Sequence, residues 1–413
     1  MAFQGILAIV VFVGFAWLIS ENRRRFPVRV AVFGVIVQLV IALALLKLPF
    51  FAAVFIYANR AVLALEAATR AGTSFVFGYV GGGDPPYAVT DPGATFILAF
   101  QALPLVLVVS ALSAVLFYWK ILPKIVKGMS WVLEKGLRLG GAEGLGVSAN
   151  IFVGMVEAPL LIRPYIEKMT RSELFTLMTT GMATIAGTVM VLYASILRDV
   201  IPDVTAHILT ASIISVPAAI VISKIMVPET GRPSSAELTD PDPASSAMDA
   251  LTRGTISGIQ LLLNIVAMII VLVAVVHLVD LSLGLLPDAG GAALSLQRIL
   301  GWVMAPVVWL MGVPWSEAPA AGALLGTKTV LNELIAYIEM TALPDGTLSP
   351  RSLLIMSYAL CGFANPGSLG IMLGGLGGMA PARRQEIVSL GFRSIVAGTL
   401  ATCMTGAVVG LLF

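Results

Sequence analysis

Residues 183–189 read Ala183-Thr184-Ile185-Ala186-Gly187-Thr188-Val189, and residues 363–369 read Phe363-Ala364-Asn365-Pro366-Gly367-Ser368-Leu369. Each heptad interrupts an apolar run long enough to cross a bilayer, and the two align at a constant offset. Unpaired amides and carbonyls at membrane depth are tolerated only where protein buries them or where they line a wet cavity. Freed carbonyls with Thr, Asn and Ser oxygens are hard ligands suited to Na⁺. Freed helix N-termini suit polar or anionic substrate atoms.

The rest of the chain agrees with a membrane setting. Of 413 residues, 58% are hydrophobic and 12% charged, with a mean hydropathy of +0.97. A soluble domain of this size needs more charge to cover its surface. Seven clear candidate spans are Phe3–Ser20, Val28–Leu46, Thr95–Tyr118, Leu174–Leu197, Ala206–Met226, Ile256–Leu283 and Ile387–Phe413; Arg351–Leu376, long enough but broken at Asn365-Pro366-Gly367, makes eight. Phe3–Ser20 has no basic residue before it and Arg23, Arg24 and Arg25 after it. That is the reverse of a secretion signal, so it reads as a retained span.

Basic residues set the direction. With the N-terminus outside, 18 of the 25 Lys and Arg fall on the cytoplasmic side, among them Arg23, Lys120, Arg171, Lys224 and Arg383. The expectation is a multi-pass protein of a bacterial inner membrane with both termini outside. Net charge of +2 gives no reason to expect nucleic acid.

Three apolar stretches fit poorly as simple spans. Val54–Tyr79 carries Arg60, Glu66 and Arg70 and reads as an interfacial helix; Gly144–Ile166 and Gly301–Met340 read as hairpins that dip in and return. Hairpin, interrupted span and span recur in that order, the first set flanked by cytoplasmic charge and the second by outer loops. The expected fold is therefore an all-α membrane protein: eight transmembrane helices, two oppositely oriented re-entrant helical hairpins, an inverted repeat and interfacial helices. The boundaries read as 1–140 scaffold, 141–227 first transport repeat, 228–250 cytoplasmic linker, 251–300 scaffold and 301–413 second transport repeat.

Each hairpin carries an acid in apolar surroundings, Glu157 and Glu333. An acid at the centre of a spanning helix costs roughly 2.5–3.5 kcal/mol on insertion scales, which favours a functional reading. The structural alternative is pairing with a cation, and Lys328, five residues from Glu333, is placed for it. For Asn365 and Ser368 the alternative is a kink held by local hydrogen bonds, and for Asn150 a cap at the hairpin tip. His207 and His277 read as interfacial or packed, and Cys361 and Cys403, inside apolar segments, offer no disulfide framework.

Enzyme motifs fail on inspection. Gly81-Gly82-Gly83-Asp84 matches a short intramembrane protease pattern, but Pro85-Pro86 follow and no partner Asp lies within a span. Gly322-Ala323-Leu324-Leu325-Gly326-Thr327-Lys328-Thr329 has the wrong spacing for a phosphate loop. No His, Asp, Glu or Cys cluster has metal-ligand spacing.

Across nearly its whole length, and most strongly from about residue 140, the chain resembles the concentrative nucleoside transporter family. The pieces are Ser148-Ala149-Asn150-Ile151-Phe152-Val153-Gly154, Glu157-Ala158-Pro159, Asn332-Glu333 through Ala336-Tyr337, Ser357 through Asn365, and Gly374-Gly375-Leu376 with Ala380-Pro381. The resemblance implies a homotrimer in lipid whose transport domain moves as an elevator, importing a nucleoside with a coupling cation, Na⁺ or in some members H⁺. It implies that Glu333, Asn365 and Ser368 bind the ribose, that Phe363 and Val189 pack around the nucleoside, and that Glu157 faces the base. It places Na⁺ between the side chains of Asn150 and Thr184 and the carbonyls of Val153 and Ile185. One departure stands out: Gly154-Met155-Val156-Glu157 replaces the family's Gly-Gln-Thr-Glu or Gly-Gln-Ser-Glu. Met155 and Val156 remove the groups that read the base, which leaves open a broadened specificity, one shifted toward purines, or another ribosyl compound as cargo.

Overall fold

The computed structural model describes residues 2–89, 95–137, 139–155, 157–234, 243–289 and 293–413, and these are overwhelmingly helical. The N-terminal part comprises α1 (Ala2–Leu18), α2 (Val28–Lys47), α3 (Pro49–Phe77), α4 (Leu98–Gln101), α5 (Leu105–Tyr118) and α6 (Ile121–Leu137). Next come α7 (Gly141–Val153), α8 (Glu157–Leu160), α9 (Arg163–Ile166), α10 (Arg171–Ala183), α11 (Gly187–Leu197) and α12 (Val204–Met226). After α13 (Ala247–Leu283) and α14 (Leu296–Leu310), the order repeats as α15 (Ala318–Val330), α16 (Glu333–Thr341), α17 (Pro350–Leu360), α18 (Pro366–Met379) and α19 (Arg384–Leu412).

Five described segments are long and apolar enough to cross a membrane: Val28–Lys47, Leu98–Tyr118, Val204–Met226, Ala247–Leu283 and Pro381–Leu412. The other three expected spans are α1, which is short, and the two pairs α10–α11 and α17–α18, which are interrupted as read from the sequence. Their ends are set by local chemistry. Thr170 caps α10 in a capping box with Glu173. Ser349 caps α17 with Pro350 in its first turn, and Asn365 caps α18 with Pro366 in its first turn.

One boundary differs. The stretch 301–340 is not one hairpin: its first ten residues belong to α14, and the α15–α16 pair begins only at Ala318. Gly312, at φ +106°, and Pro314 end α14 and turn the chain back. Gly301 and Gly322 then let α14 lie against α15, where a Cβ on either would stand under 3 Å from backbone oxygen.

The core is α12, almost wholly buried, flanked by α10 and α19. Helices α1 and α2 lie against α19 and α12, whereas α13 lies along α5, with Gly254 and Gly258 against Ser110 and Leu107. Much of α13 otherwise exposes apolar side chains such as Leu263, Ile270 and Leu278, a surface suited to lipid rather than water. The connector after Pro228 is docked at its start: Glu229 accepts from Thr170 at 2.8 Å, and Ser234 donates to Glu173 at 2.8 Å through its backbone N–H. Residues 235–242 lie outside the described residues. Lys224 at the end of α12 pairs with Glu143 in the first turn of α7 at 2.7 Å, both buried. Burying two charges requires such a partner, and the pair ties the start of α7 to the core.

The two helix breaks meet. A Cβ on Gly362, in the second break, would lie 2.9 Å from the carbonyl oxygen of Ala183, at the end of α10. From α19, Gly398 faces both: its Cβ would stand 2.5 Å from Met182 and 3.2 Å from Ala364. Only residues without side chains allow this crossing, which explains the glycines at these positions.

Candidate functional site

Beside the crossing lies a cavity of about 150 Å³. Its wall includes Met155, Val189, Glu333, Phe363, Asn365 and Ser368, so six of the eight substrate-site residues read from the sequence are brought together. Val156 lies outside the described residues, as does the side chain of Glu157, whose backbone opens α8.

Glu333 is the first residue of α16, behind the Asn332 cap, whose side chain accepts from the Ile335 amide at 2.9 Å. This position puts a carboxylate at a helix N-terminus, where the helix dipole favours negative charge. Its two oxygens are held differently. Tyr193 on α11 donates its hydroxyl to Oε1 at 2.5 Å, and Asn365 donates its amide Nδ2 to Oε2 at 3.1 Å. Asn365 makes two bonds: while Nδ2 holds Glu333, its Oδ1 accepts from the Ser368 amide at 2.8 Å and caps α18. The Ser368 hydroxyl, at the cavity wall, makes no hydrogen bond among the described residues. A carboxylate with spare lone pairs beside an amide and a hydroxyl matches vicinal hydroxyl groups on a ligand.

Lys328 does not pair with Glu333. Its ammonium donates instead to the Ala359 carbonyl at 2.8 Å and the Thr402 hydroxyl at 2.6 Å. The anticipated local ion pair is absent because the α17 carbonyl end and α19 offer it oxygens.

Beside the first break, Asn150 Nδ2 donates to Thr184 Oγ1 at 2.6 Å, and Thr184 in turn donates to the Thr180 carbonyl at 2.8 Å. Asn150 is thus spent on a second helix rather than on capping its own. Its Oδ1 is buried and has no hydrogen-bond partner among the described residues. Such an orphan is costly unless a ligand completes it. The last turn of α7 abuts the break, with the Phe152 carbonyl 2.8 Å from where a Gly187 Cβ would stand. Val153 ends α7 in that turn, and Ile185 lies in the break, its carbonyl accepting from Ser212 at 3.4 Å. Neutral hard oxygens around an orphaned amide oxygen fit an alkali cation. Among the described residues no group of three His, Cys, Asp or Glu could hold a transition metal.

Residues that the sequence reading missed also line the cavity. Tyr193 is one; Asn332, Asn264 and Met268 are others. Asn264 is the one polar residue in the α13 stretch from Leu261 to Val276, a signal that was visible in the sequence. His207 is packed as expected, its Nδ1 2.9 Å from the Tyr358 hydroxyl.

Comparison with known proteins now bears on this geometry. Residues 7–80 match the family model described as Na⁺ dependent nucleoside transporter N-terminus, and 207–410 match its C-terminal counterpart. Residues 99–199 match a model described as nucleoside recognition. The chain is 37% identical over 415 residues to the Bacillus subtilis transporter YutK, covering 98% of each chain. It is 31% identical to nucleoside permease NupC of Helicobacter pylori, covering 100% of this chain and 98% of the other. Among solved structures, CNTnw in an inward-facing substrate-bound state superposes with a TM-score of 0.90 at 34% identity, covering 100% of this chain and 98% of that one.

Proposed function

The chain belongs to the concentrative nucleoside transporter family, and from that membership we propose that it is a Na⁺-coupled nucleoside symporter that imports its cargo by elevator-type alternating access. It is a multi-pass membrane transporter, not an enzyme. The observation that carries the proposal is the Glu333 carboxylate, fixed between Tyr193 and Asn365 at the wall of the cavity, together with the orphaned oxygen of Asn150 next to the first break.

In this reading Glu333, Asn365 and Ser368 take the ribose hydroxyls, and Phe363 and Val189 pack against the nucleoside. Met155, with Val156 and Glu157, faces the base. Na⁺ rests on the Asn150 and Thr184 side chains and the carbonyls of Val153 and Ile185. Bound there, the cation joins the tip of α7 to the first break and pre-forms the adjoining cavity, so the two solutes bind cooperatively.

The membrane arrangement completes the proposal: eight crossings, with α7–α8 and α15–α16 entering from opposite faces as an inverted repeat. Both termini lie outside the inner membrane and three copies assemble. The moving part is 141–227 with 301–413, against a scaffold drawn from 1–140 and 251–300, and the linker 228–250 connects the first moving segment to the scaffold span that follows it. Within 1–140, α1 and α2 lie against α19 and α12, so in this proposal those two helices move with the transport segments and the scaffold is the remainder.

A second reading concerns cargo. The apolar Met155 wall cannot reject a base by leaving its polar groups unpaired, so base selectivity is broad. A panel of nucleosides, nucleobases and ribosides tests both, with Na⁺ replaced by choline at fixed pH. The expected result is Na⁺-dependent uptake that requires the ribose and tolerates several bases. Undiminished uptake in choline rejects Na⁺ coupling and points to H⁺ carried on a buried acid.

A further inference from the structure

Lys328 is wholly buried on α15, and the proposed transport cycle has no use for it so far. Its ammonium has two partners, both neutral oxygens: the Ala359 carbonyl at 2.8 Å and the Thr402 hydroxyl at 2.6 Å. Thr402 donates its own proton to the Thr399 carbonyl at 3.1 Å, so its lone pair is offered to the ammonium. Among the described residues no carboxylate lies within ion-pair distance of Lys328. A cation deep in a membrane protein normally pairs or does work.

The location gives the work a form. Ala359 stands in the last turn of α17, whose carbonyl end, the negative end of the helix dipole, faces the second break. Thr184 stands at the carbonyl end of α10 and faces the first break, where Asn150 holds its orphaned oxygen. The two half-helices thus end alike, and they end together, with Gly362 against the Ala183 carbonyl. Each carbonyl end carries a nest of neutral oxygens supplied by the neighbouring hairpin helix or α19. One nest is open to a free cation; the other is filled by an ammonium on a tether.

We propose that Lys328 is a built-in cation occupying a second ion site at the α17 carbonyl end, so that one free Na⁺ moves with each nucleoside. The inference rests on the Na⁺-coupled reading above. Its function is to neutralise the second break, close to Glu333, at every stage of the cycle without drawing on external sodium.

The test compares the native protein with Lys328→Ala, which empties the nest, and Lys328→Met, which fills it without charge. Nucleoside uptake into proteoliposomes is measured against Na⁺ concentration, and the Na⁺-to-nucleoside ratio is taken from the reversal of flux under opposed gradients. The native protein is expected to give a hyperbolic Na⁺ curve and a ratio of one. Lys328→Ala is expected to become sigmoidal, with a ratio rising toward two, because Na⁺ now enters the vacated oxygens. Lys328→Met is expected to lose most uptake while its Na⁺ curve stays hyperbolic. A native ratio of two overturns the proposal without any variant, and so does a Lys328→Ala protein that keeps a hyperbolic curve and a ratio of one. Sodium-independent uptake by the native protein instead overturns the coupling reading on which the proposal stands.

Discussion

Tyr193 on α11 donates a 2.5 Å hydrogen bond to Glu333 on α16, across 140 residues of chain and between the two halves of the protein. Neither half holds this carboxylate alone. The first supplies the phenol, the second the acid and Asn365. Loss of Tyr193 therefore tests whether the halves share one site. A hydrogen bond to a charged group contributes about 1.5–3 kcal/mol, or roughly 10- to 150-fold in affinity. Tyr193→Phe is expected to raise the KM for nucleoside within that range with the protein intact. Glu333→Gln, which removes the charge and leaves the fold, is expected to abolish uptake; radiolabelled uptake by purified, monodisperse variants checks both.

Asn150→Ala removes the orphaned oxygen and the bond to Thr184 together. The half-saturating Na⁺ concentration is expected to rise at least tenfold, with a smaller change in nucleoside affinity at saturating Na⁺. Uptake measured over a Na⁺ series at fixed nucleoside separates the two.

Met155 presents an apolar surface to the cavity, and a Cβ on Gly181 would lie 3.0 Å from its Cβ. Met155→Gln with Val156→Thr introduces hydrogen-bonding groups at these positions. Competition by a panel of bases is expected to spread from near-equal inhibition to differences of about tenfold or more, the effect of one well-placed polar contact.

Asn264 reaches the same cavity from α13, which lies on α5 and apart from the α10–α12–α19 core. In the proposed elevator, an amide there would contact cargo from the scaffold side and only while the moving part faces it. Asn264→Leu is expected to change KM measured from one side of the membrane several-fold and leave the other side unchanged. Uptake in vesicles of both orientations is the measurement.

At the surface, Glu21 joins α1–α2 to the α10 and α19 helices through Arg171, at 2.8 Å, and Arg393. The hydrogen bond from Arg171, reinforced by the charges of both arginines, holds the Glu21 carboxyl below the usual glutamate range. A carboxyl lowered on folding stabilises above its unfolded value, and that contribution fades as pH falls through the lowered one. Glu21→Gln is expected to lower the melting temperature at pH 7, and the gap to the native protein should close in acid.

Much of this was legible in the sequence. Asn365-Pro366-Gly367 cannot continue a helix, and Thr184 through Gly187 interrupts a run that is otherwise apolar, so both breaks and their polar oxygens were readable. Tyr193 was not, because a tyrosine in an apolar helix has no distinctive spacing, and only the crossing of α11 with α16 gives its hydroxyl a partner. The pairing of Lys328 with Glu333 looked natural along one helix. The helix in fact ends between them at Val330, and after the turn through Leu331 and Asn332 the two side chains take different partners, Lys328 the Ala359 carbonyl and Glu333 the Tyr193 hydroxyl. The second hairpin starts later than the sequence suggests because Gly301 and Pro306 lie within α14, where Gly301 is a packing glycine against α15.

The most direct test is the time course of labelled nucleoside inside sealed proteoliposomes given an inward Na⁺ gradient and no other driving force. Internal nucleoside is expected to climb transiently above the external concentration and then relax as the gradient runs down. Simple equilibration at the external level, with the same rate whether or not Na⁺ is present, would contradict a carrier that binds cargo and cation at adjoining helix breaks.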